Sequence, residues 1–314
     1  MKKIILLVCL AAAVAAAIAG YSWLRDHRMS NFGKNSSLFV TPEMDAEDVV
    51  AALDSSSKVL NVKRLRRVFK KMEVDRHLQA GHYVISASSS SVAVARMLNN
   101  GRQTPVKLTI AGSLRSTGEI ARKLSNQLML DSLSLASALQ DSALLAGFGV
   151  TPENVFAAFH PATYEVYWTD SLPRILERNR RAADAFWTEE RLSKAAGVGL
   201  DRRGVTVLAS IVKGESNYRP ELSKIAGVYL NRLKKGMKLQ ADPTVAYCYG
   251  YSLKRVLFKH LGIDSLYNTY KYAGLPPAPI CVPDPEYLEA VLNPDYGGGN
   301  LYFCASPSLS LIHI

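Results

Sequence analysis

The sequence has few of the residues that bind metals or form disulfides. Its 314 residues include only four cysteines and six histidines. The cysteines form no CxxC pair and no spacing typical of metal ligands, and Cys9 lies inside an apolar run, which leaves an odd number for pairing. The histidines are scattered along the chain. We therefore expect no metal, no cofactor and no obligatory disulfide.

Acidic residues are also scarce relative to basic ones. The chain has 27 Asp and Glu against 38 Lys and Arg, a formal net charge of +11. Such a charge permits nucleic acid as a partner, but an anionic lipid or wall polymer suits an exported chain better. Much of the excess lies between Lys63 and Lys71, where basic and apolar residues alternate at helical spacing. We interpret this segment as an amphipathic helix with a solvated basic face.

One long apolar run is present, at the N-terminus. Lys2 and Lys3 precede an uncharged run from Ile4 to Leu24, which has a tyrosine and a tryptophan near its far end. About 20 apolar residues match one bilayer crossing, and aromatic residues favour the interface. A cleaved signal peptide is the alternative, although its apolar region is usually only about 7–15 residues long. The run predicts a retained anchor over residues 1–24, with the rest of the chain exported.

The remaining chain divides by composition. Residues 25–36 are polar and predict a linker. Residues 37–112 alternate short predicted strands and helices, which indicates a small α+β module without catalytic residues. Residues 113–308 are mainly helical by pattern, with one helix expected over 133–145, and their loops are rich in aromatic residues and proline. Such loops suit a carbohydrate cleft, but ordinary loop chemistry explains them equally well. The predicted fold class is α+β.

Glu215 ends an apolar helical stripe. Leu208, Ile211, Val212 and Glu215 fall at i, i+3, i+4 and i+7, which places them on one face of a helix. A carboxyl group at the edge of such a face loses solvent, so its pKa rises and it can donate a proton near neutral pH. The alternative is a structural carboxylate at the rim of a core helix. Periodicity alone favours this alternative.

Six stretches carry a resemblance to a known family. They are 80–85, 101–106, 161–168, 208–215, 226–244 and 270–280. With these stretches the chain resembles the endolytic murein transglycosylase family, MltG (YceG-like), from the N-terminal anchor to about Ser306. The resemblance implies that residues 37–112 form a LysM-like, glycan-binding module and that residues 113–308 form the catalytic domain.

The resemblance implies a lyase that acts on peptidoglycan strands. Such an enzyme cleaves between N-acetylmuramic acid and N-acetylglucosamine without water, because the muramoyl C6 hydroxyl attacks C1 and leaves a 1,6-anhydro end. Ordinary glycoside hydrolysis uses two carboxyl groups, whereas this reaction needs one. The implied acid/base is Glu215. The implied location is the periplasmic side of the cytoplasmic (inner) membrane, close to the cell-wall synthesis machinery.

Four further residues are candidates for substrate contacts or for orienting the acid. They are Tyr164, Asn231, Gln240 and Asp242. Each follows from the resemblance and lies in a loop or at a helix that would border the cleft. For each of them, a purely structural role in turns or in the core is an equal alternative.

The chain departs from the family at the acid itself. The family's helix usually has the pattern Ile-Val-Glu-x-Glu-Thr, but here Lys213 occupies the first carboxylate position and Glu215 the second. We assign the acid/base role to Glu215 because it holds the apolar-face position. If the first carboxylate were the essential one, the chain would be an inactive, membrane-anchored glycan-binding or scaffold protein. Lys213 close to the site would keep Glu215 more ionised.

The C-terminus departs from the family as well. After Ser306 the family continues with a further motif and a helix, whereas this chain ends in Leu-Ser-Leu-Ile-His-Ile. That ending resembles a translated sequencing adapter. We therefore expect the catalytic domain to be a C-terminally truncated copy and residues 309–314 to be an artefact.

Overall fold

The computed structural model of the protein describes residues 2–304, 312 and 313. The chain forms two compact units. The first unit consists of Met1–Val106 and Glu165–Thr169, and the second of Lys107–Tyr164 and Asp170–Ile314. Helices predominate and the strands are few and short, so the mixed class predicted from the sequence is confirmed.

The first helix is the apolar N-terminal run. Helix α1 (Lys2–His27) continues beyond the predicted anchor, and the Trp23 carbonyl hydrogen-bonds to the His27 ring in its last turn. Its segment Ile4–His27 is long and apolar enough to cross a membrane, and none of it is buried inside the protein. By length and composition, this helix is the one candidate span among the described residues.

The first unit is built from a strand pair and the helices around it. Its elements are β1 (Ser36–Val40), α2 (Ala46–Ser57), α3 (Val62–Lys71), α4 (Val74–His77), β2 (Gly81–Ile85) and α5 (Ser91–Asn99). The two strands are antiparallel, with Leu38 opposite Tyr83. Leu38 and Val40 are buried while Phe39 between them is exposed, as alternation along a strand requires. Side chains of Asp45, Asn61 and Ser90 cap α2, α3 and α5.

The segment predicted as a linker, residues 25–36, is partly packed. Phe32 is 2% exposed, and it forms an isolated backbone bridge with Val59. Asn31 is fully buried, and its amide donates to the Asn61 carbonyl and to Ser91 Oγ. A polar side chain whose N–H groups are bonded inside the fold can be buried, so composition alone does not identify exposed chain here.

The second unit is mainly helical. Strand β3 (Val106–Ile110) leads into it and pairs with β4 (Ala162–Val166). Its further elements are α6 (Thr117–Ser125), α7 (Ser132–Ala138), α8 (Ser142–Ala146), α9 (Leu172–Phe186), α10 (Glu189–Gly197), α11 (Arg202–Glu215), α12 (Leu222–Lys234), α13 (Asp242–Cys248) and α14 (Pro285–Leu292).

The single helix predicted over residues 133–145 is wrong, because the chain forms α7 and α8 instead. Asp141 lies between them, and its side chain accepts from the backbone N–H groups of Ala143 and Leu144. An aspartate that caps the first N–H groups of a helix starts a new helix at that point.

The core of the second unit forms where α11, α12 and α14 pack together. Leu208 and Ile211 of α11 are fully buried, and so are Ile225 of α12 and Val291 of α14. Gly227 of α12 allows a neighbouring loop to approach closely, because a Cβ atom there would lie 2.0 Å from the Asp295 carbonyl oxygen. These contacts fix the two helices that carry the candidate site.

The last described residues form a short strand pair, β5 (Phe303–Cys304) with β6 (Ile312–His313). Of the six residues predicted to be an artefact, 309–311 and 314 lie outside the described part of the chain. That prediction remains an expectation about the sequence.

Candidate active site

Glu215 is the last residue of α11. The helix is buried without interruption from Val207 to Lys213, whereas Glu215 is partly exposed. The carboxyl group therefore lies where the core ends. A negative charge at the C-terminal end of a helix is also disfavoured by the helix dipole.

Tyr229 of α12 holds one oxygen of this carboxyl group. Its hydroxyl donates to Glu215 Oε1 at 2.5 Å, and the tyrosine is 2% exposed. Burial raises the pKa of Tyr229 well above its ordinary value, so the phenol stays protonated and acts as a donor. Because Oε1 accepts this hydrogen bond, Oε2 is the oxygen that can carry a proton when the carboxyl group is neutral.

The environment raises the pKa of Glu215 to about 7. Loss of solvent is the largest cause, since it disfavours the charged form. The Tyr229 hydrogen bond opposes this by stabilising the carboxylate. The negative charge of Asp242 raises the pKa further, and the positive charge of Arg232 lowers it. A group with this pKa is protonated in a large fraction of molecules at neutral pH and can both donate and accept a proton.

Glu215 opens onto a cleft with a volume of about 240 Å³. Apolar side chains line part of the cleft, and polar and aromatic groups from α12, α13 and the neighbouring loops line the rest. The lining residues are Glu215, Tyr229, Arg232, Leu239, Gln240, Asp242, Tyr270 and Phe303. The structure thus brings three of the five predicted site residues, Glu215, Gln240 and Asp242, to one cleft.

Asp242 is the second carboxylate of the cleft and the first residue of α13. Tyr270 fixes it, with its hydroxyl donating to Asp242 Oδ1 at 2.6 Å. α13 lies close to the end of α11 because Gly214 has no side chain. A Cβ atom on Gly214 would lie 2.4 Å from Pro243 Cβ. This glycine thereby permits the close approach of Asp242 to Glu215.

Gln240 lines the cleft from a strained backbone position. Its φ of 52° lies in the left-handed region, which a residue with a side chain rarely adopts. The backbone there is held by hydrogen bonds: the N–H of Gln240 donates to the Thr269 carbonyl, and the N–H of Ala241 donates to Thr269 Oγ1. Such strain persists only where surrounding contacts enforce it, and it concentrates at functional sites. The Gln240 side chain is exposed.

Arg232 is a buried cation in the wall of the cleft. Its guanidinium donates to the carbonyls of Leu239 and Leu301, both at 2.6 Å. It also lies 4.8 Å from the centre of the Tyr302 ring. The arginine therefore ties the chain on both sides of the cleft to α12 and supplies a positive charge there.

The other two predicted residues make structural hydrogen bonds. Asn231 donates to the carbonyls of Tyr296 and Asn300, and Tyr164 donates to the His160 carbonyl. Neither of them is among the described residues that line the cleft. Their side chains hold neighbouring segments of backbone in place.

Lys213 points away from the cleft. Its ammonium donates to the carbonyls of Gly112 and Val282, both at 2.9 Å, and to Asp284 Oδ2 at 2.6 Å. It is 8% exposed, and its charge is not one of the causes that shift the pKa of Glu215. The suggestion that Lys213 keeps Glu215 ionised therefore has no support in the geometry.

Five lining residues were not predicted, and three of them, Tyr229, Arg232 and Tyr270, have polar side chains. Tyr229 lies on the buried face of α12 and has the spacing of a core residue, so its hydroxyl gives no signal in the sequence. The contacts of Tyr270 and Arg232 cross between distant segments. Among the described residues no three His, Cys, Asp or Glu side chains are grouped as metal ligands would be.

Comparison with known proteins gives consistent matches. The YceG-like family matches residues 38–311. A Bacillus subtilis protein named endolytic murein transglycosylase is 27% identical over 285 residues, which cover 84% of this chain and 77% of that protein. A protein of the same name from Streptococcus pneumoniae strain D39 is 30% identical over 150 residues, covering 46% of this chain and only 27% of its own length.

A solved structure is similar over most of the chain. The crystal structure of a YceG-like protein from Listeria monocytogenes superposes with a TM-score of 0.56 and 25% identity, covering 90% of this chain and 96% of that one. The family match alone spans well over half of the sequence. This chain belongs to the YceG-like family.

Proposed function

We propose that this protein is an endolytic peptidoglycan lytic transglycosylase in which Glu215 is the single acid/base. The names of the relatives from Bacillus and Streptococcus support the general activity. The observation that carries the assignment to Glu215 is its carboxyl group, which lines an open cleft and has a pKa raised to about 7. A carboxyl group with this pKa suits donation to a leaving group at neutral pH.

In the proposed reaction, Glu215 first donates a proton to the glycan and then accepts one from it. Glu215 Oε2 donates its proton to the glycosidic oxygen between N-acetylmuramic acid and N-acetylglucosamine as the C1–O bond breaks. The C6 hydroxyl of the muramic acid attacks C1, and the Glu215 carboxylate accepts the hydroxyl proton. The products are a free 4-hydroxyl on N-acetylglucosamine and a 1,6-anhydro ring, and the acid is regenerated without water.

The other cleft residues act on this carboxyl group or on the sugar. Tyr229 positions Glu215 and leaves Oε2 free. Asp242 raises the pKa of the acid and supplies negative charge for the positive charge that develops at C1 in the transition state. Gln240 is an exposed amide at the cleft and suits hydrogen bonds to sugar hydroxyls. Asn231 and Tyr164 contribute by holding backbone, not by touching the glycan.

The first unit is the candidate LysM-like, glycan-binding module. It has two antiparallel strands with helices between them in sequence, and a groove of about 640 Å³. The groove carries charges of both signs around an apolar floor, an arrangement that suits a polar, amide-rich polymer. Its lining includes Asp45, Glu47, Arg66, Phe69, Glu73 and Arg76.

The proposed location is the bacterial cytoplasmic membrane, which α1 crosses once, with both units on the periplasmic side. The peptidoglycan substrate lies on that side. Cell-wall synthesis proteins are the partners expected there. Full-length protein that stays in the membrane pellet after alkaline carbonate extraction, with the mass of an uncleaved chain, supports the anchor. A mature form that starts after residue 20 would identify a cleaved signal peptide instead.

The decisive experiment incubates the full-length protein with intact sacculi. We expect muropeptides with 1,6-anhydro ends from the wild type and none from Glu215→Gln, while Glu190→Gln on exposed surface serves as the matched control. Reducing ends that incorporate ¹⁸O from labelled water would indicate hydrolysis, with Asp242 as the second carboxyl group. Sacculus binding without any product from the wild type would indicate the alternative, a membrane-anchored glycan-binding or scaffold protein.

A further inference from the structure

The end of α1 carries a cluster of positive charge. The candidate span Ile4–His27 has 24 residues. At a rise of 1.5 Å per residue it is about 36 Å long, compared with roughly 30 Å for the hydrocarbon core of a bilayer. If the apolar run fills the hydrocarbon core, the last turn, which includes Arg25 and Asp26, lies in the headgroup region.

Helix α3 is bonded directly to that last turn. The Arg67 guanidinium donates to both carboxylate oxygens of Asp26, at 2.7 and 2.8 Å. Arg64 donates to the Ser30 carbonyl at 2.7 Å and to the Arg25 carbonyl at 3.4 Å. All of these residues belong to the first unit. The basic helix is therefore held beside the point where the chain leaves the membrane.

Positive charge in this cluster exceeds the negative charge that the fold supplies. Arg64 is 7% exposed, and the partners of its two terminal nitrogens are neutral carbonyl groups. Burial and the neighbouring charge of Arg25 lower the pKa of Arg64. The Nε atoms of Arg25 and Arg64 are buried and have no hydrogen-bond partner among the described residues. Carboxylate partners do not neutralise the Arg64 guanidinium, and guanidinium groups form their strongest hydrogen bonds with anions.

The exposed face of α3 carries further positive charges. Lys63, Arg67, Lys70 and Lys71 lie at i, i+4, i+7 and i+8, so they share one face of the helix. All four are exposed or half-exposed. Within the described residues the three lysines form no ion pair. We call Arg67 and these three lysines, together with Arg25 and the largely buried Arg64 beside them, the α1–α3 basic surface.

We propose that the α1–α3 basic surface binds the headgroups of anionic phospholipids. The inference rests on the proposed membrane anchor and is independent of the proposed chemistry at Glu215. Guanidinium groups bind phosphate oxygens through paired hydrogen bonds, and each lysine close to an anionic membrane strengthens binding by about fivefold. Bound lipid holds the first unit against the bilayer and fixes the direction in which α1 leaves it.

The test measures lipid binding to the full-length protein in a neutral detergent by native mass spectrometry. Dioleoyl phosphatidylglycerol and dioleoyl phosphatidylcholine are added in equal amounts at low and at high salt. We expect a preference for phosphatidylglycerol of roughly tenfold or more at low salt, which weakens at high salt. The triple variant Lys63→Glu, Lys70→Glu, Lys71→Glu should lose it, and the corresponding triple Gln variant should show an intermediate preference.

The matched control reverses three basic residues on the surface of the second unit, Lys254→Glu, Arg255→Glu and Lys259→Glu. It changes the net charge equally and should keep the lipid preference. The proposal is overturned if the wild type shows no preference, if the control loses as much as the α3 variant, or if the α3 variant keeps its preference. Loss of sacculus binding with retained lipid preference would assign the surface to the wall polymer. Release of anhydro-muropeptides by the wild type tests the enzyme separately.

Discussion

The ammonium nitrogen of Lys213 lies 2.6 Å from Asp284 Oδ2, on the opposite side of α11 from the cleft. Residues two apart on a helix are separated by about 200° around its axis, so Lys213 and Glu215 face different ways. The carbonyl groups of Gly112 and Val282 complete the site of the ammonium. Of the two positions where the family usually has glutamate, only the second therefore reaches the cleft in this chain.

Lys213→Met should destabilise the protein. The change leaves Asp284 and two carbonyl groups without their donor, and removal of one partner of a buried pair typically costs about 3–5 kcal/mol. Because Asp284 is 23% exposed and can gain water, we expect about 2–4 kcal/mol in the free energy of unfolding. Urea denaturation measures the difference.

Lys194→Met is the matched control, since the pair of Lys194 with Glu190 is exposed. It should cost less than about 1 kcal/mol. Equal stability of the two variants would contradict the structural role of Lys213.

Glu215→Gln should make the protein more stable at alkaline pH. The pKa of Glu215 is about 7 in the folded protein, against an ordinary value of 4.5. A raised pKa means that the folded state favours the proton, so this contribution is complete below pH 4.5 and is lost as pH rises to about 7. A glutamine cannot ionise and avoids the loss.

Thermal unfolding of both proteins between pH 4 and pH 9 measures this effect. We expect the two curves to converge near pH 4 and to separate by about 1–3 kcal/mol above pH 7. A constant difference across this range would show that Glu215 ionises with an ordinary pKa.

Tyr229→Phe and Asp242→Asn should move the pH dependence of the reaction in opposite directions. The acid must be protonated to donate, so the rate of anhydro-muropeptide release falls as pH rises through the pKa of Glu215. The tyrosine hydrogen bond lowers that pKa and the Asp242 charge raises it. Loss of the tyrosine hydroxyl therefore extends activity to higher pH, and loss of the aspartate charge restricts it to lower pH.

Each change should also lower the maximal rate by roughly tenfold or more, because each removes a group that positions or stabilises charge at the reacting centre. Tyr287→Phe is the matched control. Its hydroxyl donates to Asn217, and Tyr287 is not among the described residues that line the cleft. The Tyr287→Phe variant should show the same pH dependence of the rate as the wild type. A shift of the same sign in both site variants would contradict the proposed roles.

The apolar stripe of α11 allowed the sequence to identify Glu215 as a candidate. Four positions of one helix carry that signal, and all four lie in α11. The β1, β2 and β3 strands were likewise visible, because short alternating runs lie between turn residues. Local periodicity is sufficient for features of this kind.

Features that depend on contacts between distant segments were not predictable. Tyr229 has the spacing of a core residue, and only the folded chain shows its hydroxyl on Glu215. Asn31 looked like part of a linker, yet it is buried by bonds to residues 30 and 60 positions away. Lys213 could have been placed opposite Glu215 from helix geometry, but its partner Asp284 could not, because they are 71 residues apart.

Gly214→Ala should damage the site through the backbone. The new methyl group would lie 2.4 Å from Pro243 Cβ and 2.7 Å from its Cγ, so α13 must move away from the end of α11. Overpacking of this kind typically costs about 1–3 kcal/mol. Because Asp242 precedes Pro243, the movement also separates it from Glu215, and the rate of anhydro-muropeptide release should fall.

Gly197→Ala is the matched control. Gly197 lies in α10, and apart from its chain neighbours and its own helix backbone, no atom of the described residues lies within 4 Å of the position that a Cβ atom would take there. Alanine should therefore be neutral or stabilising by up to about 1 kcal/mol. Thermal unfolding and product release are measured on both variants. If Gly214→Ala matches this control in stability and in rate, the close approach of α13 is not needed, and the pairing of Asp242 with Glu215 does not depend on it.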